Sequence, residues 1–469
     1  MNTFEKYTPL VLARADDSLK RFGVFLWRDS IRRNCLIYWF LLWFTIFEVV
    51  TFSQGFSYSP PPLISIPFQI FVVVFISKLL PLVISGPLQV LQTFTAVFLT
   101  IPTVVLAFSN SVNIEFRFRC LGLICVLLNQ VLMSFFHGKE NFIFVENRRI
   151  SLPISSMAYL LSFVVIALFI YSLISGVFDF SFVTFNEIYT KRSELKVKLD
   201  DTELRFLGYL VGWLGGLSIP IIFYLGIKSR NWLILTMSLF FFLGSYLLTA
   251  QKWIIASCLL ILILHLISLT AKRDIIHTKN LFVGFNWLIF VLISLQSLLP
   301  TSRLVDLGVR RALLDPSIML QYYVKFSGDY PPQWWSDSNV SRILFDSDPI
   351  PVSQIIGERY FNVPSSFIYP KGEFPNATAG AIADSIAQGG IVGLFIVSLA
   401  LIGVFYVLHT LSIGRNRSIV FVLSGLMVEM LVEGTFHTLL LSRGLILIFF
   451  VFLLLPTTNN PNAKTARTT

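Results

Sequence analysis

Long apolar runs, separated by short polar or charged clusters, organise almost the whole chain. About 20 apolar residues is the length an α-helix needs to cross a bilayer. On that measure the pattern predicts spans at 35–54, 62–84, 88–108, 120–137, 153–175, 203–227, 231–249, 253–270, 281–299, 386–409, 419–437 and 440–456. The second run carries Lys78 and Pro81, which predict a kink or a snorkelling lysine at its end. Ser442, Arg443 and Gly444 separate the last two runs. The expected fold is therefore an all-α polytopic integral membrane protein of about 12 transmembrane helices, with a large extracytoplasmic loop between spans 9 and 10. The expected division is an N-terminal arm (1–34), helices 1–9 (35–299), the large loop (300–385), helices 10–12 (386–456) and a tail (457–469).

Composition strengthens this reading. Of 469 residues, 55% are hydrophobic and only 13% charged, against roughly 25% charged in a soluble domain. The mean hydropathy is +0.75. The 46 Phe are spread along the chain instead of filling one core stretch. The first thirty residues are charged and amphiphilic and predict no cleavable signal peptide. Cys35, Cys120, Cys125 and Cys258 all fall in apolar runs without metal-ligand spacing, so they read as small buried hydrophobes.

Charge then orients the spans. Lys and Arg gather in the N-terminal arm, in 138–152, 228–230, 271–280 and 412–418, and in the tail. With twelve spans all of these share one side, the cytoplasm, and both termini are cytoplasmic. Arg117 and Arg119 in the opposite 109–119 loop depart from the rule. The net charge of +10 is accounted for by cytoplasmic loops facing anionic lipid, and no basic stripe points to nucleic acid.

No soluble-enzyme motif is present. The candidate chemistry lies in polar residues at the outer ends of spans. Glu203, Arg205, Tyr209, Trp213 and Pro220 open span 6, where an arginine is either a snorkelling anchor or an anion clamp. Lys252 occupies the short outer turn before span 8. Arg303, Arg310 and Arg311 follow span 9, where repeated guanidinium groups suit bidentate phosphate binding or simply face solvent on an amphipathic helix. Further along come Glu358–Arg359–Tyr360, then Asn376 through Gly380 to Asp384, then Gly389, Gly390 and Gly393 at the mouth of span 10. Glu433 and His437 lie near the outer end of span 11. The loop aromatics Tyr322, Tyr323, Trp334, Trp335 and Tyr360 suit either stacking on sugar faces or anchoring at the membrane interface.

Three of these stretches, in this order, resemble the O-antigen polymerase family, the Wzy-type oligosaccharide repeat-unit polymerases. They are Arg205-x3-Tyr209-x3-Trp213-x6-Pro220 with Lys252; Arg310-Arg311-x-Leu-Leu-x-Pro316 with Tyr322-Tyr323; and Gly357-x-x-Tyr360-Phe361 leading to Asn376-x3-Gly380-x3-Asp384-x5-Gly390-x2-Gly393. The resemblance spans roughly 200–410, and the N-terminal half agrees only in hydropathy. The related O-antigen ligases use a histidine in the large outer loop, and 300–385 contains none.

The resemblance implies an inner-membrane glycosyltransferase. Such an enzyme moves a growing glycan from undecaprenyl pyrophosphate onto the next lipid-linked repeat unit outside the cytoplasmic membrane. Its product is O-antigen or capsular polysaccharide. The leaving pyrophosphate develops charge that fixed arginines can stabilise without metal or cofactor. On this reading Arg205, Arg310 and Arg311 hold pyrophosphate, and Asp384 or His437 is the base. Tyr209, Lys252, Tyr322, Tyr323, Arg359 and Asn376 contact substrate. Membrane lipid, a chain-length regulator and a flippase are the implied partners. Three alternatives stay open: a lipid-linked glycan flippase or transporter, for which Glu429 near the middle of span 11 speaks, an O-antigen ligase-like transferase, and a non-catalytic envelope scaffold.

Overall fold

A computed structural model describes residues 28–46, 52–53, 56–57, 61–109, 114–136, 151–176, 191, 195, 214–249, 253–270, 275–299, 305–336, 352–360, 380–436, 438 and 444–456. In chain order the helices are α1 (28–46), α2 (Ile66–Leu79), α3 (Pro87–Ala107), α4 (Phe116–Phe136), α5 (Ile154–Ile174) and α6 (Leu214–Ser218 continuing as Ile219–Ser229). They continue with α7 (Trp232–Thr249), α8 (Trp253–Leu269), α9 (Thr278–Leu298), α10 (Asp306–Leu314 continuing as Asp315–Asp329), α11 (Val352–Tyr360), α12 (Ala381–Ser412), α13 (Arg417–Glu433) and α14 (Leu445–Leu454). Strands are confined, among the described residues, to two-residue pieces: β1 (Phe52–Ser53) with β2 (Phe56–Ser57), and β3 (Val83–Ile84) with β4 (Ile276–His277), both antiparallel.

Among the described residues, five helices, α3, α4, α5, α9 and α12, are long and apolar enough to cross a membrane by length and composition. Large apolar side chains stand exposed along α2, α5, α7, α9 and α12, for example Phe71, Phe163, Phe240, Phe290 and Phe395. Water would penalise such a surface and lipid does not. The chain is an all-α membrane protein.

Local chemistry sets where the helices start and stop. Arg230 adopts a left-handed φ of 52° that ends α6, and the Asn231 carboxamide oxygen accepts from the N–H groups of Leu233 and Ile234 to start α7. Asn416 caps α13 in the same way through Ile419. The Lys78–Pro81 stretch of the second apolar run ends the helix at Leu79 instead of kinking it. There Arg28 donates to the carbonyls of Lys78 (3.0 Å) and Leu80 (2.6 Å), pairing groups that the helix end leaves bare.

At the centre stands α3, which is buried along its whole length. It packs on α4, α12 and α13. A π-helical turn at Ala96–Thr100 interrupts it. The Ile101 N–H reaches back to the Ala96 carbonyl in that wider register, and the next residue, Pro102, has no N–H for Val97. The Tyr38 hydroxyl of α1 donates to the Val97 carbonyl instead, at 2.9 Å. Ser317 of α10 reaches the Leu99 carbonyl at 3.1 Å, and Gln130 of α4 bridges the Gln92 carbonyl and the Thr100 hydroxyl. The irregular turn thus collects side chains from three neighbouring helices. Interhelical bonds of this kind contribute on the order of 0.6 kcal/mol each inside a membrane.

Helix ends meet in two groups. In one, β3 pairs with β4, the Leu152 N–H donates to the Leu454 carbonyl, Asn231 bonds Tyr159, and Arg415 donates to the carbonyls of Leu453 and Leu455. In the other, Phe108 meets Phe68 and Phe116, Arg119 bonds the Ser109 carbonyl, and Lys325 lies against Phe118.

The 300–385 segment is more than a surface connection. Its described parts include two helices and the turn at 330–336, and α10 buries Pro316, Ser317, Ile318, Leu320, Gln321 and Tyr323 between α4 and α12.

Candidate functional site

The second group of helix ends carries a cluster of cations and aromatic rings, in which Arg117 and Arg359 are exposed, Lys325, Tyr330 and Tyr360 are partly buried, and Tyr322, Phe326 and Phe118 are buried. Tyr322, Lys325, Phe326 and Asp329 follow the i, i+3, i+4, i+7 spacing that aligns them on one stripe of α10. From α11, Tyr360 stacks obliquely on Tyr322 (5.9 Å between centroids) and donates its hydroxyl to Asp329 at 2.7 Å. Burial and then the hydrogen bond to Asp329 push the Tyr360 phenol well above its ordinary range, so it remains a proton donor at neutral pH. The Lys325 ammonium lies 3.4 Å from Asp329, 5.4 Å from the Phe118 ring and 5.6 Å from the Tyr360 ring. Arg359 covers the Tyr330 ring at 4.9 Å, and Tyr330 stacks on Phe326. Arg117, paired with Glu115, covers Phe118 at 4.6 Å. Asp329 and Glu115 offset the charges of Lys325 and Arg117, while Arg359 is held at the surface over the Tyr330 ring. An anionic group can bind here by exchanging with those carboxylates or by meeting Arg359.

Next to it α12 is broken. Gly389 (φ −141°) and Gly390 (φ 60°, ψ −143°) leave the helical region. The Gly390 conformation is essentially reserved to glycine. A Cβ on Gly393 would lie 2.2 Å from the Ser385 carbonyl oxygen, so the chain can double back there only without a side chain. The break isolates a two-turn half-helix, 381–388, every residue of which is buried. Its start, Gly380, presses on the last carbonyls of α13 at Leu431 and Val432. Beyond the break, Ile391, Val392, Phe395 and Ile396 are exposed.

The loop after α10 clamps this break. The Trp334 N–H donates to the Gln388 carbonyl (2.8 Å), and the Trp335 N–H donates to the Gln388 side-chain oxygen (2.7 Å). Both tryptophans have left-handed φ, 50° and 58°. For bulky residues that conformation costs roughly 1–3 kcal/mol each and persists only where surroundings impose it.

The structure separates the sequence candidates. Arg310 and Arg311 diverge: Arg311 is exposed, whereas Arg310 is fully buried and bonds Asp315 at 2.7 Å. Tyr322 and Tyr323 are both buried, and Tyr322 meets the cluster through the Tyr360 ring. Arg359 is exposed within the cluster. Asp384 is buried on the half-helix, one turn before Gln388 and on the same face. Arg205, Tyr209, Lys252, Asn376 and His437 lie outside the described residues.

Sequence reasoning missed Arg117, Lys325, Asp329, Tyr330 and Gln388 as members of this site. One signal was available, because Arg117 broke the charge rule on this side. Lys325 and Asp329 also fall on the stripe that begins at Tyr322. Among the described residues no group of three or more His, Cys, Asp or Glu is placed to hold a metal ion. Compared with protein-family models, with curated proteins and with solved structures, the chain shows no match.

Proposed function

We propose that the protein is a polymerase of the bacterial cytoplasmic membrane, joining undecaprenyl-pyrophosphate-linked oligosaccharide repeat units on the outer face of that membrane. In this reading the chain makes twelve crossings, both termini are cytoplasmic, and the cation–aromatic cluster faces outward. The observation that carries it is the juxtaposition at one end of the bundle of two features. One is a cluster of the cations Arg117, Lys325 and Arg359 laid over partly or fully buried aromatic rings. The other is a broken helix whose buried half bears Asp384. The cations suit a pyrophosphate leaving group, and rings suit sugar faces. Asp384 is the candidate acceptor of the attacking hydroxyl's proton. Arg205 keeps the clamp role implied by its motif. Arg310, engaged by Asp315, acts first as the internal tie that holds α10 in place.

The broken helix also favours a second reading. Discontinuous helices with buried carboxylates occur at the binding sites of transporters, and Asp384 and Glu429 are both buried. Reconstitution into liposomes with purified lipid-linked repeat units separates the readings. A ladder of polymer supports the polymerase, and movement across the bilayer without new bonds supports a flippase. Transfer to lipid A core supports a ligase, and no activity leaves a scaffold.

A further inference from the structure

We propose that Trp334 is a stacking platform for a pyranose ring of the glycan, an inference that rests on the polymerase reading. An interfacial anchor needs only an indole at the right depth, which any extended or helical backbone supplies. Trp334 is instead held in a left-handed conformation beside a second left-handed tryptophan. One residue, Gln388, bonds both N–H groups and so fixes the pair to the break in α12. The Cε3–Cζ3–Cη2 edge of the Trp334 indole lies against Gly389, where a Cβ would come within 3.3 Å of it. The Trp335 ring reaches toward Gly393, whose Cβ would lie 3.9 Å away. Trp334 nevertheless remains 54% exposed. The backbone is bent to support one side of this ring while leaving much of it open.

A ring supported on one side presents its electron-rich face to the C–H groups of a sugar, which are weakly positive and apolar. Among the described residues, a Cβ on Gly390 would meet nothing within 4 Å. Asp384 sits one turn from Gln388 on the same helix face, a separation of about 5–6 Å between Cβ atoms. A sugar on Trp334 is thereby held at the break in α12, the helix that also carries the candidate base.

The test uses the full chain in lipid nanodiscs and two readouts. One is affinity for the lipid-free repeat-unit oligosaccharide, released from its pyrophosphate by mild acid. The other is the Michaelis constant for the lipid-linked unit in polymerisation. Trp334→Leu keeps an apolar side chain for interfacial anchoring but removes the ring. It is expected to weaken oligosaccharide binding and raise the Michaelis constant about tenfold at an unchanged melting temperature, while Trp334→Phe stays within about threefold of wild type. Wild-type binding and kinetics in Trp334→Leu would overturn the platform and leave an anchor. If the leucine variant does not fold, Trp334→Tyr decides, because a tenfold loss despite a retained ring would also overturn it. A wild-type protein that binds the oligosaccharide but builds no polymer overturns the polymerase reading and leaves the platform standing; one that does neither overturns both.

Discussion

Removing the Arg310 guanidinium should destabilise the protein whatever its part in catalysis. The Arg310 side chain is 1% exposed and that of Asp315 is 20% exposed, and they meet at 2.7 Å within α10. Breaking a buried pair by deleting one partner costs about 3–5 kcal/mol, because the other charge is left without compensation. The lower end applies to Arg310→Ala, since Asp315 keeps some access to water. The upper end applies to Asp315→Asn, which leaves the guanidinium buried. At about 2 °C per kcal/mol, a conservative figure for a chain of this size, Arg310→Ala should melt about 6 °C and Asp315→Asn about 10 °C below wild type. Fluorescence-detected size exclusion of heated detergent extracts measures both. The double variant Arg310→Met with Asp315→Leu replaces the pair by apolar groups and should recover most of the loss. A polymer ladder from that variant would assign Arg310 to packing alone, and a folded protein without a ladder would assign it to phosphate as well. An Arg310→Ala protein that melts with wild type would refute the buried-pair reasoning.

Four further outcomes are expected. Gly390→Ala and Gly393→Ala should each destabilise by about 1–3 kcal/mol, through a forbidden backbone region and a clash with the Ser385 carbonyl respectively, whereas Gly403→Ala, with open space around it, should not; thermal melting ranks the three. The Tyr360 phenol is raised in the folded protein, so the stability it contributes is fully present below its unfolded value of about 10 and is lost as pH rises through the folded one. The melting difference between wild type and Tyr360→Phe should accordingly hold constant from about pH 6 to 9 and close above about pH 10. Cysteines introduced at the exposed positions Ser336 and Ile413 should react with an impermeant thiol reagent from outside only at Ser336, and the reverse pattern would reject the orientation. Arg205→Lys should lose activity about a hundredfold if a planar guanidinium fork is required, and a wild-type ladder at matched expression would leave Arg205 an anchor.

Much of the bundle was legible because hydropathy reports burial in lipid directly. Each expected span overlaps a described helix, and five of those helices are, among the described residues, long and apolar enough to cross a membrane. Boundaries moved where single residues act locally, as when α2 stops at Leu79 ahead of Pro81. Hydropathy does not distinguish a helix that faces lipid from one that faces protein. The run at 88–108 read like its neighbours, yet α3 is enclosed, and its Gln89, Gln92, Thr95 and Thr100 were the available hint. The glycines 389, 390 and 393 stood out in the sequence, but their purpose depends on Ser385 and the two tryptophans, contacts that no period encodes. The arginine pair reads alike in the sequence, but adjacent helical residues point roughly 100° apart, and only packing separates the buried Arg310 from the exposed Arg311.

The enclosure of α3 bears on how the chain is made. Synthesis proceeds from the N-terminus, so this helix is present in the bilayer long before α10, α12 and α13, more than 200 residues downstream, can surround it. During that interval its polar side chains face lipid. Thr93, Thr95 and Thr103 each donate to a carbonyl one turn back in the same helix, at 2.8, 2.7 and 2.7 Å. Those bonds need no partner helix and lower the penalty of waiting. Gln92 and Gln130 depend on other segments, and Gln130 arrives with α4, the next helix to emerge. The late helices then displace lipid from a post that was standing before them, so truncation after α9 should leave an inserted but protease-sensitive and easily aggregated half.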